Sequence, residues 1–501
     1  MTALQVASRE RTAIHVHAED APVLVLVACI VLAGVGLALL PLPWLVTGLA
    51  GTIVLVLVLV RPYLALYLIA FAIPFGSLFE IGVGPISVGA TEGLLGLMLA
   101  AWLARYAVFE QVPARRSSLA MPVVAFATAT LYSLLNATSL PLAAKELVKW
   151  LEVAAVIVFV ARAVPKRHMK PIVASLLAAG LCQAVLGIYQ FVTQSGPEGF
   201  VLFDRFMRAY GTFQQPNPFA GYLGLVAPLA LAFALNLLSP QAEAAPGQAA
   251  KQDAWPRRFE WFSLITLVVV STAIAMSWSR GAWLGFLAAI VVVGAAQSRR
   301  GRLILAVLLT SIAFMGLLAG TAALPRPVAQ RLTGFLPFVG VSDTAAVEVT
   351  DENYAALERL AHWQSALEMW RDHPWLGIGF GNYAAAYSKY ALAKWPAALG
   401  HAHNYYLNIA AETGLLGLVA YLLLWGVVTW RVWRIFRGTR DPNTRALALG
   451  ALGMLVHVSV HNVVDNLWVH NMYIHVAIIL GLLQGSTLRA DQQEIYGYGS
   501  I

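Results

Sequence analysis

Charge is what this chain has least of. Only 12% of its 501 residues are charged, 59% are hydrophobic, and the mean hydropathy is +0.71. Soluble domains carry about 25% charge, so a soluble fold is excluded. Cysteine is nearly absent: Cys29 and Cys182 both fall in apolar stretches and read as small core residues. They support no disulfide framework and no thiolate metal site. There is no internal repeat of about 20–50 residues, which excludes a solenoid or propeller. The first 21 residues are polar and no small-residue cleavage site follows the first apolar stretch, so no cleavable signal peptide is expected.

Long apolar runs are what is there instead. Crossing about 30 Å of hydrocarbon takes roughly 17–23 helical residues. Fourteen such stretches occur: 22–40, 44–60, 63–79, 88–107, 120–137, 143–163, 170–192, 217–238, 260–278, 281–297, 302–322, 404–430, 446–464 and 467–486. Backbone groups in lipid need internal partners, so the array must be helical. The expected fold is an all-α integral membrane protein, a polytopic bundle of about 12–14 transmembrane helices with one long outer loop carrying amphipathic helices. Arg280-Gly281 either splits a hairpin or interrupts one element.

Basic residues set the orientation. With the N-terminus in the cytoplasm and fourteen crossings, 22 of the 33 Lys and Arg collect on the cytoplasmic side, including Arg162/Lys166/Arg167/Lys170 and five arginines from Arg431 to Arg445. Both termini are then cytoplasmic. The net charge of +8 thereby reports topology, and no nucleic-acid partner is expected. The expected organisation is a cytoplasmic tail over 1–21, about eleven helices over 22–322, an outer loop over 323–402, C-terminal helices over 403–488 and a tail over 489–501. Residues 239–258 read as a flexible Pro/Ala/Gln linker without chemistry.

A loop as long as 323–402 is more than a connection. Within it Leu357, Leu360, Trp363, Leu367 and Trp370 recur at spacings of three and four, predicting an amphipathic helix ended by Pro374. Its apolar face is expected on the bilayer surface or over a cavity. Outside this loop only five basic residues face outward against the bias: Lys145, Lys149, Arg205, Arg208 and Arg280. Arginine at that depth suits phosphate, because its planar fork of donors stays charged; snorkelling to lipid headgroups is the plainer alternative. Lys145, Lys149 and Glu152 share one helix face, with Glu146 adjacent, and either hold the bundle by internal pairing or meet a polar substrate.

The segment GHAHNYYLNIAAETGLLG begins where the loop becomes a helix. His401 and His403 there sit within reach of water and of a lipid-borne substrate. Their spacing alone is a poor metal signature, although Glu412, Asp465, His457, His461, His470 and His475 could approach. A helix beginning near His403 would put its positive end beside the ring and disfavour the imidazolium. A neutral imidazole is what a general base requires; a histidine capping an interfacial helix is the alternative.

RAYGTFQQPNPFAGYL, SWSRGAWLG, RLAHWQSALEMWRDHPWLGIGFGNY and HAHNYYLNIAAETGLLG occur in an order that resembles the O-antigen ligase/polymerase superfamily, from about Lys145 to Asp465. The resemblance implies a GT-C-like lipid-linked glycosyltransferase fold in a bacterial inner membrane, with the active site on the periplasmic or extracellular side. It implies transfer of a glycan from an undecaprenyl-diphosphate carrier to an acceptor hydroxyl on a glycan or a lipid A core. Carried over by position, Arg208 and Arg280, with Arg205 beside them, would hold the diphosphate, and His403 or His401 would activate the acceptor. Arg359 and Asp465 also match typical positions. Asn217 and Glu412 complete the candidate set as binding or structural groups. A diphosphate is already a good leaving group, so arginines and a neutral histidine suffice, with inversion at the anomeric carbon. No metal and no cofactor are expected, and no Asp-x-Asp motif lies in an outer loop. Ligase and repeat-unit polymerase are not separated. A polysaccharide flippase is the alternative outside the family, but the inverted repeats expected of a transporter are not seen.

Overall fold

The computed structural model describes residues 41–78, 80–83, 86–109, 119–203, 205–238, 255–296, 347–350 and 353–496, with fragments at 302–303, 306–307 and 310. The expected helix 22–40, most of 302–322, most of the 239–258 linker, Cys29, the N-terminal tail, residues 497–501 and the loop before 347 lie outside these residues, whereas 489–496 of the expected C-terminal tail continue the last helix. Two units are distinguished, residues 1–61 and 62–501. The first contributes helix α1, Leu42–Val60, 19 residues without a charge and with a proline in the first turn.

The second unit is built of helices. They are α2 (Ala65–Phe75), α3 (Ala90–Phe109), α4 (Ala120–Thr130), α5 (Leu140–Ala163), α6 (Lys166–Thr193), α7 (Pro216–Ala234), α8 (Arg257–Met276), α9 (Arg280–Ala296), α10 (Tyr354–Asp372), α11 (Tyr383–Tyr390), α12 (Tyr405–Gly438), α13 (Pro442–His461) and α14 (Met472–Tyr496). Among the described residues, five helices are both long and apolar enough to cross a membrane, and shorter apolar helices accompany them. The protein is an all-α polytopic membrane protein. Two small antiparallel hairpins, β1 (Glu80–Val83) with β2 (Ile86–Gly89) and β3 (Val201–Leu202) with β4 (Phe206–Met207), were not foreseen. Strands this short carry too little alternation to read.

Helices α7 and α13 form the centre. Helix α7 is apolar all round and buried along nearly its whole length, packed by α6, α8, α9 and α13. Close approach is what its neighbours' glycines allow. A Cβ on Gly450 or Gly453 of α13 would lie 2.8 Å from Leu229 or 2.7 Å from Pro228 of α7. Arg280 does not sit within one continuous element, since α8 ends at Met276 and α9 begins at Arg280. Cys182 lies on the exposed side of α6, so it is not a core residue as its apolar surroundings suggested.

One helix is interrupted, and the interruption seats the outer loop. Within α12, Gly414 adopts φ 63°, ψ −164°, a conformation open essentially to glycine alone. The break frees backbone groups on both sides. The carbonyls of Ala411 and Glu412 accept from Ile378 N and Gly379 N, both at 3.0 Å, and Leu415 N donates to Pro374 O at 2.8 Å. Gly377 (φ 68°) completes the splice, because a Cβ there would lie 2.2 Å from the Glu412 backbone. The loop 374–379 thus replaces the helix's own hydrogen bonds.

Helix α10 does not bury the stripe expected of it. Leu357, Ala361, His362, Ser365, Ala366 and Met369 face inward, whereas Leu360, Trp363, Leu367 and Trp370 are half-buried at its flanks. Small residues let α10 lie close against α12, and a count of large apolar side chains misplaced the face by about one position.

Candidate active site

The HAHN segment is held by its own polar residues. Asn404 caps α12, its side chain accepting from Tyr406 N and Leu407 N at 3.0 and 3.1 Å. Ala402 N donates to Asn408 Oδ1 at 3.0 Å, and Tyr405 N reaches Asn462 O at 2.8 Å, tying this entry to the end of α13. Trp363 of α10 donates to the His403 carbonyl at 3.2 Å. So constrained, His403 takes φ 51°, a left-handed conformation costly for a residue with a Cβ.

Its ring is aimed by a carboxylate. His403 Nδ1 lies 3.5 Å from Asp465 Oδ1, at the edge of hydrogen-bond reach, on the turn between α13 and α14. Burial alone would raise the Asp465 pKa. The His403 hydrogen bond and the charges of His401, His403 and Arg359 outweigh it and hold the carboxyl below its ordinary range. With the Nδ1 proton directed at Asp465, the Nε2 lone pair of His403 is free.

His401 is committed otherwise. Its Nδ1 accepts from the His403 backbone N–H at 3.1 Å, so the neutral ring carries its proton on Nε2 and acts there as a donor. Burial and the neighbouring His403 lower its pKa to about 4, against the opposing pull of Asp465. Two imidazoles that look equivalent in sequence therefore have opposite hydrogen-bonding roles.

Arg359 acts on His401, on Asp465 and on Arg280, and Arg208 is held at the turn that precedes Arg280. Arg208 donates through Nε to Ser277 O at 2.8 Å and through a terminal nitrogen to Asn217 Oδ1 at 3.0 Å, which fastens it to the α8–α9 turn. Arg280 follows directly as the first residue of α9. Arg359 of α10 is close enough to repel Arg280 and to act on His401 and Asp465. Two more histidines also join: His362, which the sequence did not single out, and His461, which it marked only as able to approach. His362 stands three residues after Arg359 on α10, its ring 5.6 Å from that of His403. Tyr383 Oη donates to the His362 carbonyl and pairs with its Nδ1 at 2.9 Å, while Tyr387 stacks on the ring at 4.7 Å. Burial, then His403, lowers the His362 pKa to about 4. His461, four residues before Asp465, interacts with Asp465 and Arg359. The i, i+3 and i, i+4 spacings to Arg359 and Asp465 were the available signals.

The other candidates do not join this cluster. Lys149 pairs with Glu146 and donates to Trp468 O at 3.3 Å; Glu152 accepts from Tyr473 Oη at 3.0 Å; Lys145 is exposed. Buried Glu412 accepts from Tyr383 N at 2.9 Å, which anchors the start of α11. Arg205 is exposed and lies over the Phe206 ring at 5.3 Å.

His401, His403 and Asp465 bring ligand-capable atoms within 4.8 Å of one another, a spacing compatible with a small cation. Two features favour a histidine–carboxylate pair instead. The His401 Nδ1 lone pair is already engaged, and Arg359 adds positive charge to the same space.

A break-spliced helix, an arginine cluster and an aimed histidine at one end of an all-α bundle define a membrane protein with a polar site where its long loop docks. Residues 265–422 match the family model described as O-antigen ligase, so this part of the chain is similar to that family. The matched stretch contains Arg280, Arg359, His362, His401 and His403, while Arg208 and Asp465 lie outside it. No curated protein matches the chain. Members of that family are glycosyltransferase-type enzymes.

Proposed function

We propose that the protein transfers a glycan from an undecaprenyl-diphosphate carrier to an acceptor hydroxyl at the face of a bacterial inner membrane where the loop docks, the periplasmic or extracellular side, with both termini in the cytoplasm. The observation that carries this reading is the pairing of one free imidazole lone pair, on His403, with a concentration of guanidinium charge at Arg208, Arg280 and Arg359. His403 Nε2 takes the proton from the acceptor hydroxyl as its oxygen attacks the anomeric carbon. Asp465 stabilises the imidazolium that forms, and the apo separation of 3.5 Å shortens as the charge appears. The bond from the anomeric carbon to the diphosphate oxygen breaks on the opposite face, so configuration inverts. The arginines hold the diphosphate as its negative charge grows, an electrostatic contribution that is usually the largest in such a step. His401 positions the His403 backbone and keeps a donor beside Asp465. Every step uses side chains of this chain, with no metal and no cofactor.

The test is purified protein with lipid-diphosphate glycan and candidate acceptors, a glycan or a lipid A core, in the presence of EDTA. Release of lipid diphosphate with an elongated acceptor is expected. One added unit per acceptor identifies a ligase, and a ladder on lipid-linked glycan identifies a polymerase. Movement of the lipid across vesicles without cleavage would replace this reading with a flippase.

A further inference from the structure

The far end of α12 carries a second charged surface, distant from the site that its first turn builds. From Leu415 onward the exposed side of this helix is apolar, with Leu416, Val419, Leu422 and Leu423 on the surface. From Leu415 to Trp433 the rise is about 27 Å at roughly 1.5 Å per residue, close to a hydrocarbon thickness of about 30 Å. There the character changes. Trp430, Trp433, Arg434 and Arg437 follow at i, i+3, i+4 and i+7, which is one stripe of a helix. The tryptophans are 54% and 39% exposed.

Within the stripe each guanidinium lies over the indole four residues before it: Arg434 over Trp430 at 5.2 Å and Arg437 over Trp433 at 5.7 Å. Such stacking fixes the plane of the guanidinium and turns its donor edge outward. Among the described residues no carboxylate pairs with either arginine. The nearby acid, Asp441, is spent capping α13, where it accepts from Thr444 N at 2.8 Å. Arg440 adds exposed charge at the turn. Two oriented guanidinium groups at headgroup depth, backed by indoles that belong in the interface, match the phosphate of an anionic phospholipid.

We propose that the Trp430–Arg437 stripe is a binding site for the headgroup of an anionic phospholipid in the leaflet opposite the candidate active site. The arginines contact the phosphate as bidentate donors and the tryptophans flank its glycerol backbone. This site is independent of the transferase reading, and its test involves no turnover.

The full chain is reconstituted in nanodiscs that mix phosphatidylglycerol with phosphatidylcholine, and the lipids it retains on extraction are counted by native mass spectrometry. Wild type is expected to retain phosphatidylglycerol about thirtyfold over its share of the mixture, since each of the two arginines near the surface contributes roughly 1 kcal/mol. Arg434→Gln/Arg437→Gln should bring retention to within about twofold of that share. Arg434→Lys/Arg437→Lys, which keeps the charge and loses the fork, should fall between them and covers the case in which the Gln pair does not fold. Arg371→Gln, on the exposed loop helix, should leave retention unchanged. No preference in wild type, full preference in the Gln pair or in a lysine pair standing alone, or an equal loss in Arg371→Gln would each overturn the site.

Discussion

Two clusters of ionisable side chains lie in this bundle, and they are built on opposite rules. On α5, Lys149 pairs with Glu146 and a backbone carbonyl, and Glu152 takes the Tyr473 hydroxyl. Asn471, two residues before Tyr473 on the chain, bonds Glu92 at 2.8 Å. Each charge in that cluster is answered by a neighbour, as burial in a membrane protein demands. At the loop, Arg280 and Arg359 repel each other, His403 keeps a free nitrogen, and one carboxylate serves Arg359 and two imidazoles. A cluster that closes on itself holds a fold, whereas one in which guanidinium groups repel each other is suited to take up an anion. Charge alone does not tell the two apart; the partners do.

The sharpest way to break this contrast is at the loop cluster. His403→Ala should lower transfer by about 10³-fold, within the range for loss of a general base, with unchanged thermal unfolding. Full activity of the purified variant would remove His403 from the chemistry. Asp465→Asn should cost about 10²-fold or more, because the amide can present its N–H to Nδ1 and favour the wrong tautomer. A substrate-saturated rate measurement separates this from weaker binding: the loss should appear in kcat, and a change confined to KM would count against the pairing.

At the α5 cluster the effect should move from rate to stability. Lys149→Met leaves Glu146 unpaired and should destabilise by about 1–3 kcal/mol, read as a lower unfolding temperature, while activity of the surviving protein stays within about threefold. Adding Glu146→Gln should restore much of the loss. A large drop in kcat at full stability would instead make this cluster part of the catalytic machinery.

How much of this could be seen in the sequence follows from the same contrast. Helical spans are set by long local runs of apolar residues, so the helices at 140–163, 216–234 and 442–461 fall where hydropathy put them. The arginines at 208 and 280 stood out because they broke the charge bias. Pairing is not local. Glu412 looked like a site residue and instead caps α11 across 29 positions, and Asp465 meets His403 across 62. Nor could the sequence choose between His401 and His403. That choice rests on a single backbone N–H donating to one ring nitrogen, a consequence of the left-handed turn at His403.

The smallest expected effect concerns pH. His401 and His362, both in the loop layer, have pKa values lowered to about 4 from 6.5, so the folded protein keeps them neutral. The unfolded chain takes up protons on these rings as pH falls below about 6.5, while the folded chain does so only near 4. The stability they contribute is therefore full above about pH 6.5 and lost progressively toward pH 4. His401→Gln, which can still accept the His403 N–H through its side-chain oxygen, should flatten the fall of unfolding temperature across that window without abolishing it, since His362 remains. The α5 cluster has no histidine, so Lys149→Met should lower the whole curve without changing its slope there. If both variants alter the slope alike, the two clusters are coupled through the bundle and the distinction between them fails.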